Sequence, residues 1–264
     1  MTFADLHRGP RPLVLPNAWD VASALAFAEA GFPAVGTTSF GVNAAGGTPD
    51  GGRSSRRATE ELVHRLRALP AYLTADIEDG YSDDPAEVAD LVASLADAGL
   101  VGVNIEDSAY GELVDPTVYA AKVRAIKAAT PGVFVNARVD TYWFNRDATV
   151  EATLDRARAY VDAGADGVFV PTAVAAEPAV LERLADALPV PLNVLAVPGR
   201  TVGQLGDLGV RRISTGSLPY RAAIDAAVAV ATAVRDDGDV SPATPYPEAQ
   251  ARLERYVQRV VDLP

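Results

Sequence analysis

The stretch "LTADIEDGYS" (residues 73–82) places three acids, Asp76, Glu78 and Asp79, at the end of an apolar run. Side chains on an extended strand alternate in direction, so Asp76 and Glu78 are predicted to point the same way and Asp79 elsewhere. Glu106 ends the next apolar run, "VGVNIE", and adds a third carboxylate. Hard oxygen ligands without His or Cys suit Mg²⁺, with Mn²⁺ as an alternative. The pattern therefore predicts a divalent-metal site built on Asp76, Glu78 and Glu106.

Other polar side chains stand at the ends of further apolar runs. Arg138 ends "VFVNAR", where its guanidinium could grip a substrate carboxylate, and a salt bridge to a nearby acid is compatible with that role. "GTTSFG" offers backbone N–H groups and hydroxyls around Thr38 and Ser39 that could cradle a carboxylate. Asp50 lies in the Gly-rich stretch "GGTPDGG", and Asn193 lies in another apolar run, so both are further candidates for substrate binding.

The strands and helices between these candidate residues must bring them together. Eight short apolar runs alternate with Ala-rich segments of helical period, and they cover residues 12–15, 33–38, 71–76, 101–106, 133–138, 167–171, 191–196 and 211–216. Strands alternating with helices predict parallel βα units, and eight such units favour a (β/α)8 TIM barrel over an open doubly wound sheet. The active site of a barrel forms at the carboxyl ends of its strands, where the polar residues above would meet.

Four of the repeated units share an acid, one residue and then a Gly, at Gly31, Gly99, Gly164 and Gly209. Each Gly is predicted to end a helix in the left-handed conformation, which costs Gly little.

Two regions are predicted along the chain. Residues 1–240 form the barrel, and residues 241–264 form a Pro-rich spacer followed by a helix with an apolar stripe. That stripe needs a partner, either the chain's own barrel or a neighbouring subunit.

Composition excludes several classes of protein. The net charge of -12 disfavours nucleic acid and anionic membranes as partners and favours small molecules. The absence of Cys excludes disulfides, thiolate ligands and a Cys nucleophile. No stretch is apolar enough to span a bilayer, so we expect a cytoplasmic protein. His7 and His64 stand away from the strand ends, which argues against a His-based site.

The ordered motifs "DIEDGY", "NIEDS" and "NARVD" resemble the isocitrate lyase and phosphoenolpyruvate mutase superfamily, and the similarity runs over nearly the whole chain. The resemblance implies a barrel whose eighth helix is exchanged between subunits, in a dimer or a dimer of dimers, and the C-terminal helix within residues 241–264 is the one expected to be exchanged. It implies Asp76 as the direct Mg²⁺ ligand, and Asp50, Glu78 and Glu106 as residues that hold metal-bound water. It further implies substrate contacts from the backbone of Thr38 and Ser39 and from Arg138.

Departures from the superfamily pattern narrow the expected reaction. The lyases carry a Lys-Lys-Cys-Gly-His loop where this chain has "EDSAYGELVDPT", and the His of the mutases is replaced near Pro171. We therefore expect a carbon–carbon lyase or decarboxylase that acts on a small 2-oxo or 2-hydroxy dicarboxylate, such as oxaloacetate, through a metal-stabilised enolate. Tyr110 or Glu112 is the expected proton source. Phosphonopyruvate hydrolase or phosphoenolpyruvate mutase-like chemistry, and non-catalytic 2-oxo acid binding, are the alternatives.

Overall fold

The apolar runs form the strands of one parallel sheet in the computed structural model, which describes residues 1–171 and 177–263. The strands are β1 (Leu13–Leu15), β2 (Asn17–Ala18), β3 (Ala34–Thr37), β4 (Tyr72–Asp76), β5 (Gly102–Glu106), the antiparallel pair β6 (Ser108–Ala109) and β7 (Glu112–Leu113), β8 (Phe134–Arg138), β9 (Gly167–Phe169), β10 (Leu192–Leu195) and β11 (Val210–Ser214).

The sheet order is β1-β11-β10-β9-β8-β5-β4-β3-β2. β1 and β2 are two parts of the first strand, interrupted at Pro16, which has no N–H to donate. The carbonyl of Pro16 still accepts the N–H of Gly36 at 2.8 Å. The sheet therefore closes around eight strand positions, and the predicted (β/α)8 barrel is confirmed.

Helices connect the strands. They are a 3₁₀ helix (Ala4–Arg8), α1 (Val21–Glu29), α2 (Ser39–Ala45), α3 (Arg56–Arg65), α4 (Pro85–Asp97), α5 (Pro116–Ala129), α6 (Val150–Asp162), α7 (Pro178–Ala187), α8 (Val202–Asp207), α9 (Leu218–Arg235) and α10 (Tyr246–Val261). Side-chain oxygens that accept a first-turn N–H fix the start of several of them, namely those of Asp20, Thr38, Asp84, Asp115, Thr149 and Thr201.

The four repeated glycines lie directly after helix ends in the left-handed region. Their φ angles are 87° at Gly31, 96° at Gly99, 108° at Gly164 and 86° at Gly209. The predicted helix stops are therefore correct, because each Gly turns the chain from a helix back into the next strand.

Helix α9 differs from the other barrel helices because none of its side chains is buried. It exposes Leu218, Ile224, Val228, Val230 and Val234. Tyr220, in its first turn, packs edge-on against Trp19 and Phe40, with ring centroids 5.4 and 6.1 Å away. Because α9 follows β11, the last barrel strand, the eighth barrel helix is α9, whereas the helix expected from the sequence to be exchanged is the tail helix α10. Tyr220 holds the first turn of α9 at the barrel mouth, and the rest of the helix is uncovered in the single chain.

The tail helix α10 contacts its own barrel through few residues. Tyr256 is buried and its hydroxyl donates to the Arg65 carbonyl, while Arg252 and Arg255 pair with Glu29 at 2.6 Å. Most of the apolar stripe predicted for this helix stays open to solvent: Leu253, Val257 and Val261 are exposed. In the part of the chain that the structure describes, no helix has the length and apolarity needed to cross a membrane.

Candidate active site

A cavity of about 590 Å³ opens at the carboxyl ends of the barrel strands. Of the site residues predicted from the sequence, Asn193 and the alternative proton source Glu112 do not line it. The others do, namely Thr38, Ser39, Asp50, Asp76, Glu78, Glu106, Tyr110 and Arg138. The barrel thus brings together strand ends that lie up to 100 residues apart in the sequence. His7 and His64 are not among the lining residues.

Asp76 ends β4 and is held by the neighbouring strand end. Its N–H donates to Thr37 Oγ1 at 2.9 Å, and its Oδ2 accepts the N–H of Ser39 at 3.0 Å. Burial raises the pKa of Asp76, and the Ser39 N–H works in the opposite direction. The carboxylate is therefore fixed in orientation at the floor of the cavity.

The backbone N–H groups of Thr38 and Ser39, which we expected to bind a substrate carboxylate, already have protein acceptors. Thr38 donates to the carbonyl of Ala18 at 3.1 Å, and Ser39 donates to Asp76. These first-turn N–H groups face a neighbouring strand and the Asp76 carboxylate, so this part of the expectation needs correction. Ser39 still lines the cavity, where its hydroxyl also hydrogen-bonds with Asp76.

Glu78 reaches the cavity by a route other than strand alternation. β4 ends at Asp76, and Glu78 adopts φ 49°, a left-handed conformation that is uncommon outside Gly. Its Oε1 accepts from the Ser55 N–H at 3.2 Å and the Ser55 hydroxyl at 2.5 Å, and its Oε2 accepts from the Arg53 N–H at 2.8 Å. Glu78 therefore anchors the end of the Gly-rich loop that carries Asp50.

Asp79 is buried and faces two cations. Arg53 donates to both of its carboxylate oxygens, with Nη2 to Oδ2 at 2.6 Å, and Lys122 Nζ lies 3.3 Å from Oδ2. Lys122 also donates to the Asp79 carbonyl at 2.8 Å. The third acid of "DIEDG" is thus neutralised by its surroundings.

Arg138 lies at the centre of an ion-pair cluster. Its Nη1 lies 2.8 Å from Glu106 Oε2, and its Nε donates to Asp140 Oδ1 at 2.6 Å. The guanidinium also lies over the ring of Trp143, 5.1 Å from its centroid. The carboxylates together raise the pKa of Arg138 above its ordinary value although burial alone would lower it. Burial raises the pKa of Glu106, against the opposing effect of Arg138.

Tyr110 lies on the hairpin between β6 and β7, above the cavity. It adopts φ 52°, is 73% exposed, and its ring lies 5.5 Å from the guanidinium carbon of Arg53. Glu112, the other expected proton source, pairs with Arg146 at 2.8 Å and does not line the cavity. The geometry therefore favours Tyr110 of the two.

Asn193 does not line the cavity, so its assignment to substrate binding needs correction. It is 1% exposed, and its amide is engaged inside the barrel by Asn136, the carbonyl of Val194 and the carbonyl of Arg212. Its place in the strand sets this depth: the Cα of Asn193 pairs with that of Arg212, two residues before the end of β11. It therefore lies one layer below the mouth.

Sequence reasoning missed several lining residues, among them Arg53, Asn104, Trp143 and Arg221. Asn104 could have been found, because it precedes Glu106 by two residues and shares its side of β5. Arg53 gave no such signal, since its position depends on the fold of a loop.

The chain forms a closed parallel barrel with carboxylates and a partly buried arginine at its strand ends. It is therefore an α/β-barrel protein whose polar cavity lies where barrel enzymes have their active sites. Residues 3–235 match the family model of phosphoenolpyruvate phosphomutase. The chain belongs to this family, and the resemblance to the isocitrate lyase and phosphoenolpyruvate mutase superfamily is confirmed.

Relatives cover most of the chain. An uncharacterized protein of Mycobacterium tuberculosis is 53% identical over 98% of both chains. The 2-methylisocitrate lyase of Salmonella typhimurium is 31% identical, over 86% of this chain and 81% of that enzyme. The named one of these two relatives is thus a lyase.

Solved structures share the fold. A putative phosphonomutase from Burkholderia cenocepacia is 39% identical, with a TM-score of 0.81 over 87% of this chain and 97% of the other. A phosphonopyruvate hydrolase in complex with oxalate and Mg²⁺ is 24% identical, with a TM-score of 0.84 over 98% of this chain and 96% of the other. The second likeness supports the barrel fold alone.

Proposed function

We propose that this protein is a Mg²⁺- or Mn²⁺-dependent carbon–carbon lyase or decarboxylase acting on a small 2-oxo or 2-hydroxy dicarboxylate such as oxaloacetate. One observation carries the proposal: Asp76, Glu106 and Arg138 converge on one cavity, with carboxylates for a cation beside a guanidinium for an anion. The 2-methylisocitrate lyases among its relatives support carbon–carbon chemistry.

The donor set fits a hard divalent ion. Carboxylate and hydroxyl oxygens line the cavity, and its described lining contains no His or Cys. Within residues 1–171 and 177–263, no group of three acids or histidines is close enough to hold a metal by itself. Asp76 would bind the ion directly, and Asp50, Glu78 and Glu106 would hold its waters, because Mg²⁺ usually keeps several waters. When bound, the ion would supply a Lewis acid for negative charge that develops on the 2-oxo acid.

The chain's own residues would orient the substrate. The guanidinium carbon of Arg138 lies 5.1 and 5.9 Å from the ring centroids of Trp143 and Phe169, while Glu106 and Asp140 hold two of its nitrogens. A bidentate contact from such a fork suits a carboxylate or the oxygens of a 2-oxo acid. Ser39, whose N–H and hydroxyl both contact Asp76, also lines the cavity.

Tyr110 is proposed as the proton donor to the carbon left after bond cleavage. The chain has no Cys to act as the acid, and Tyr110 projects from a hairpin over the cavity. Decarboxylation tolerates a weak or solvent-derived acid because the departing group is neutral CO₂ and the carbanion is stabilised as an enolate.

Phosphorus–carbon bond chemistry is the second candidate. The family model is that of a phosphomutase, and a putative phosphonomutase is 39% identical to this chain. A third possibility, a protein that binds 2-oxo acids without turning them over, is an outcome of the experiment below.

We also propose a homo-oligomer in which a neighbouring subunit covers α9. An 18-residue helix without a single buried side chain leaves Ile224, Val228 and Val234 in water, which is costly unless another surface covers them. A dimer or a dimer of dimers that exchanges this helix would cover that surface.

The deciding experiment is an activity panel of 2-oxo and 2-hydroxy dicarboxylates plus phosphonopyruvate, with Mg²⁺ or Mn²⁺. Wild type is compared with Asp76→Ala and with Asp90→Ala, which removes an exposed carboxylate on α4 as a matched control. We expect pyruvate or another 2-oxo product from a dicarboxylate, lost only in Asp76→Ala. Phosphate release from phosphonopyruvate would select the second candidate, and binding without turnover the third. Full metal affinity and activity in Asp76→Ala would refute the metal assignment.

A further inference from the structure

A buried arginine without an acid lies inside the barrel. Arg212, on β11, is 1% exposed, and among residues 1–171 and 177–263 it forms no salt bridge. Its Nε is buried without a hydrogen-bond partner, and burial lowers its pKa to about 9. A charge in this position costs stability unless it is compensated, so a role in function would account for its presence better than a role in packing.

The guanidinium of Arg212 reaches across the barrel. Its Nη2 donates to Asn104 Oδ1 at 3.0 Å, although β5 and β11 lie four places apart in the sheet order. Asn136 Nδ2 donates to the same oxygen at 2.9 Å and to Asn193 Oδ1 at 2.9 Å. These four side chains, Asn104, Asn136, Asn193 and Arg212, form a polar layer at the base of the cavity, and of the four only Asn104 lines it.

The layer fixes which way the Asn104 amide points. A guanidinium can only donate, so the Asn104 atom that faces Arg212 must be the oxygen. Asn193 gives the same answer independently: its Nδ2 donates to backbone carbonyls, its Oδ1 must therefore accept from Asn136, and Asn136 must present its NH₂ group to Asn104 as well. Asn104 Oδ1 thus accepts two hydrogen bonds, one from Arg212 and one from Asn136, and each of them independently fixes the orientation of the Asn104 amide.

The amide nitrogen of Asn104 is left facing the cavity. Asn104 lines the cavity, and its Cα pairs with that of Asp76 in the sheet. Its Nδ2 has no hydrogen-bond partner in the described chain. Three side-chain atoms of the described chain are fully buried without a partner, His7 Nε2, Asn43 Nδ2 and Arg212 Nε, and Asn104 Nδ2 is not one of them, so it is accessible from the cavity. A free N–H donor therefore faces the cavity beside Asp76, in a site that is otherwise rich in acids.

We propose that Asn104 is a substrate-binding residue that donates this N–H to an anionic oxygen of the substrate, and that Arg212 is the positioning residue that holds and polarises it. The inference rests on the proposed function, because it deepens the recognition of the 2-oxo acid at the same site. A donor whose carbonyl end is held by a cation is strengthened toward anions, since linked hydrogen bonds polarise one another.

Asn104→Asp is the sharpest test, because it replaces the N–H donor by an acceptor while giving Arg212 a carboxylate partner. We measure oxalate binding at saturating Mg²⁺ by calorimetry and by the fluorescence of Trp143, which lines the cavity. Affinity should fall about tenfold or more, since a charge-assisted bond is lost. The thermal midpoint should hold or rise, because a buried charge becomes paired. Asn145→Asp, at an exposed position outside the cavity lining, controls for the added negative charge.

Arg212→Met and Arg212→Lys test the positioning role. Met keeps much of the length without the charge, so Asn104 Oδ1 keeps its contact with Asn136 but loses the cation that holds and polarises the amide. Oxalate binding should therefore weaken several-fold, whereas Lys retains a charged donor and should restore part of the affinity. A purely structural role for Arg212 predicts a lower thermal midpoint with unchanged oxalate affinity of the folded protein.

The outcomes separate the inference from the proposed function. If wild type binds neither oxalate nor any 2-oxo acid, both are wrong. If wild type binds and Asn104→Asp binds within twofold of it, the inference alone is overturned and the proposed function stands.

Discussion

The buried contact between Lys122 and Asp79 gives a stability prediction that depends on the fold alone. Lys122 lies on α5, and its side chain and that of Asp79 are 3% and 5% exposed. The ammonium group donates to the Asp79 carbonyl at 2.8 Å and lies 3.3 Å from Oδ2. Replacing Lys122 by Met keeps the aliphatic stem and removes the charge and both contacts.

The loss in free energy of unfolding depends on which contacts Asp79 keeps in the variant. Removing one partner of a buried ion pair costs about 3–5 kcal/mol when the other charge is left alone. Asp79 keeps the bidentate contact with Arg53, so the loss is closer to that of hydrogen bonds to a charged group, about 2–3 kcal/mol. For a chain of this size that corresponds to a fall in Tm of about 5–10 °C.

Denaturant unfolding at pH 7 measures this cost, with Arg124→Met as the control. Arg124 lies on the same helix two residues further on and is exposed, so its removal should change the free energy of unfolding by less than about 0.5 kcal/mol. A double-mutant cycle with Asp79→Asn should give a coupling of at least about 1 kcal/mol. If Lys122→Met is no more destabilising than Arg124→Met, Lys122 does not compensate Asp79 and the explanation of the third acid is wrong.

Three further outcomes are expected. Burial lowers the pKa of His7 to about 4, so the unfolded chain binds its proton first: stability is full above pH 6.5 and falls by about 3 kcal/mol toward pH 4. His7→Phe, which can still stack on Phe134, should reduce the difference in free energy of unfolding between pH 7 and pH 4 by about 3 kcal/mol, measured by denaturant unfolding at both pH values. Tyr110→Phe keeps the ring beside Arg53, so turnover should drop at least about tenfold while oxalate affinity stays unchanged; equal turnover would exclude the hydroxyl as proton donor. Val228→Glu on α9 should shift the protein to monomers in light scattering, and an unchanged mass would show that no subunit covers this face.

Much of the fold was accessible from the sequence because its signals are local. The apolar runs and the helical periodicity between them locate all eight strands, and Gly31 and Gly209 mark helix ends because only Gly enters the left-handed region cheaply. Carboxyl ends of parallel strands must share one face of a barrel, which is why the positions of Asp76, Glu106 and Arg138 in the sequence are enough to group them.

Sequence patterns do not predict the position of a side chain when that position depends on a turn or on the register with a neighbouring strand. Strand alternation predicted that Glu78 follows Asp76 into the barrel mouth, but the strand ends at Asp76 and a left-handed turn delivers Glu78 instead. Asn193 has the sequence context of a site residue, yet its register against β11 places it below the cavity.

The sequence by itself determined a barrel, the face on which its acids gather and the absence of any Cys to serve as acid. Only the tertiary structure decided which of those charges are compensated and which groups remain free. The charge of Asp79 is compensated because Arg53 and Lys122, 26 and 43 residues away, both reach it. Asn104 turns its N–H toward the cavity because Arg212, 108 residues away, donates to its oxygen. Such pairings join distant segments through closure of the barrel, and neither composition nor periodicity records them.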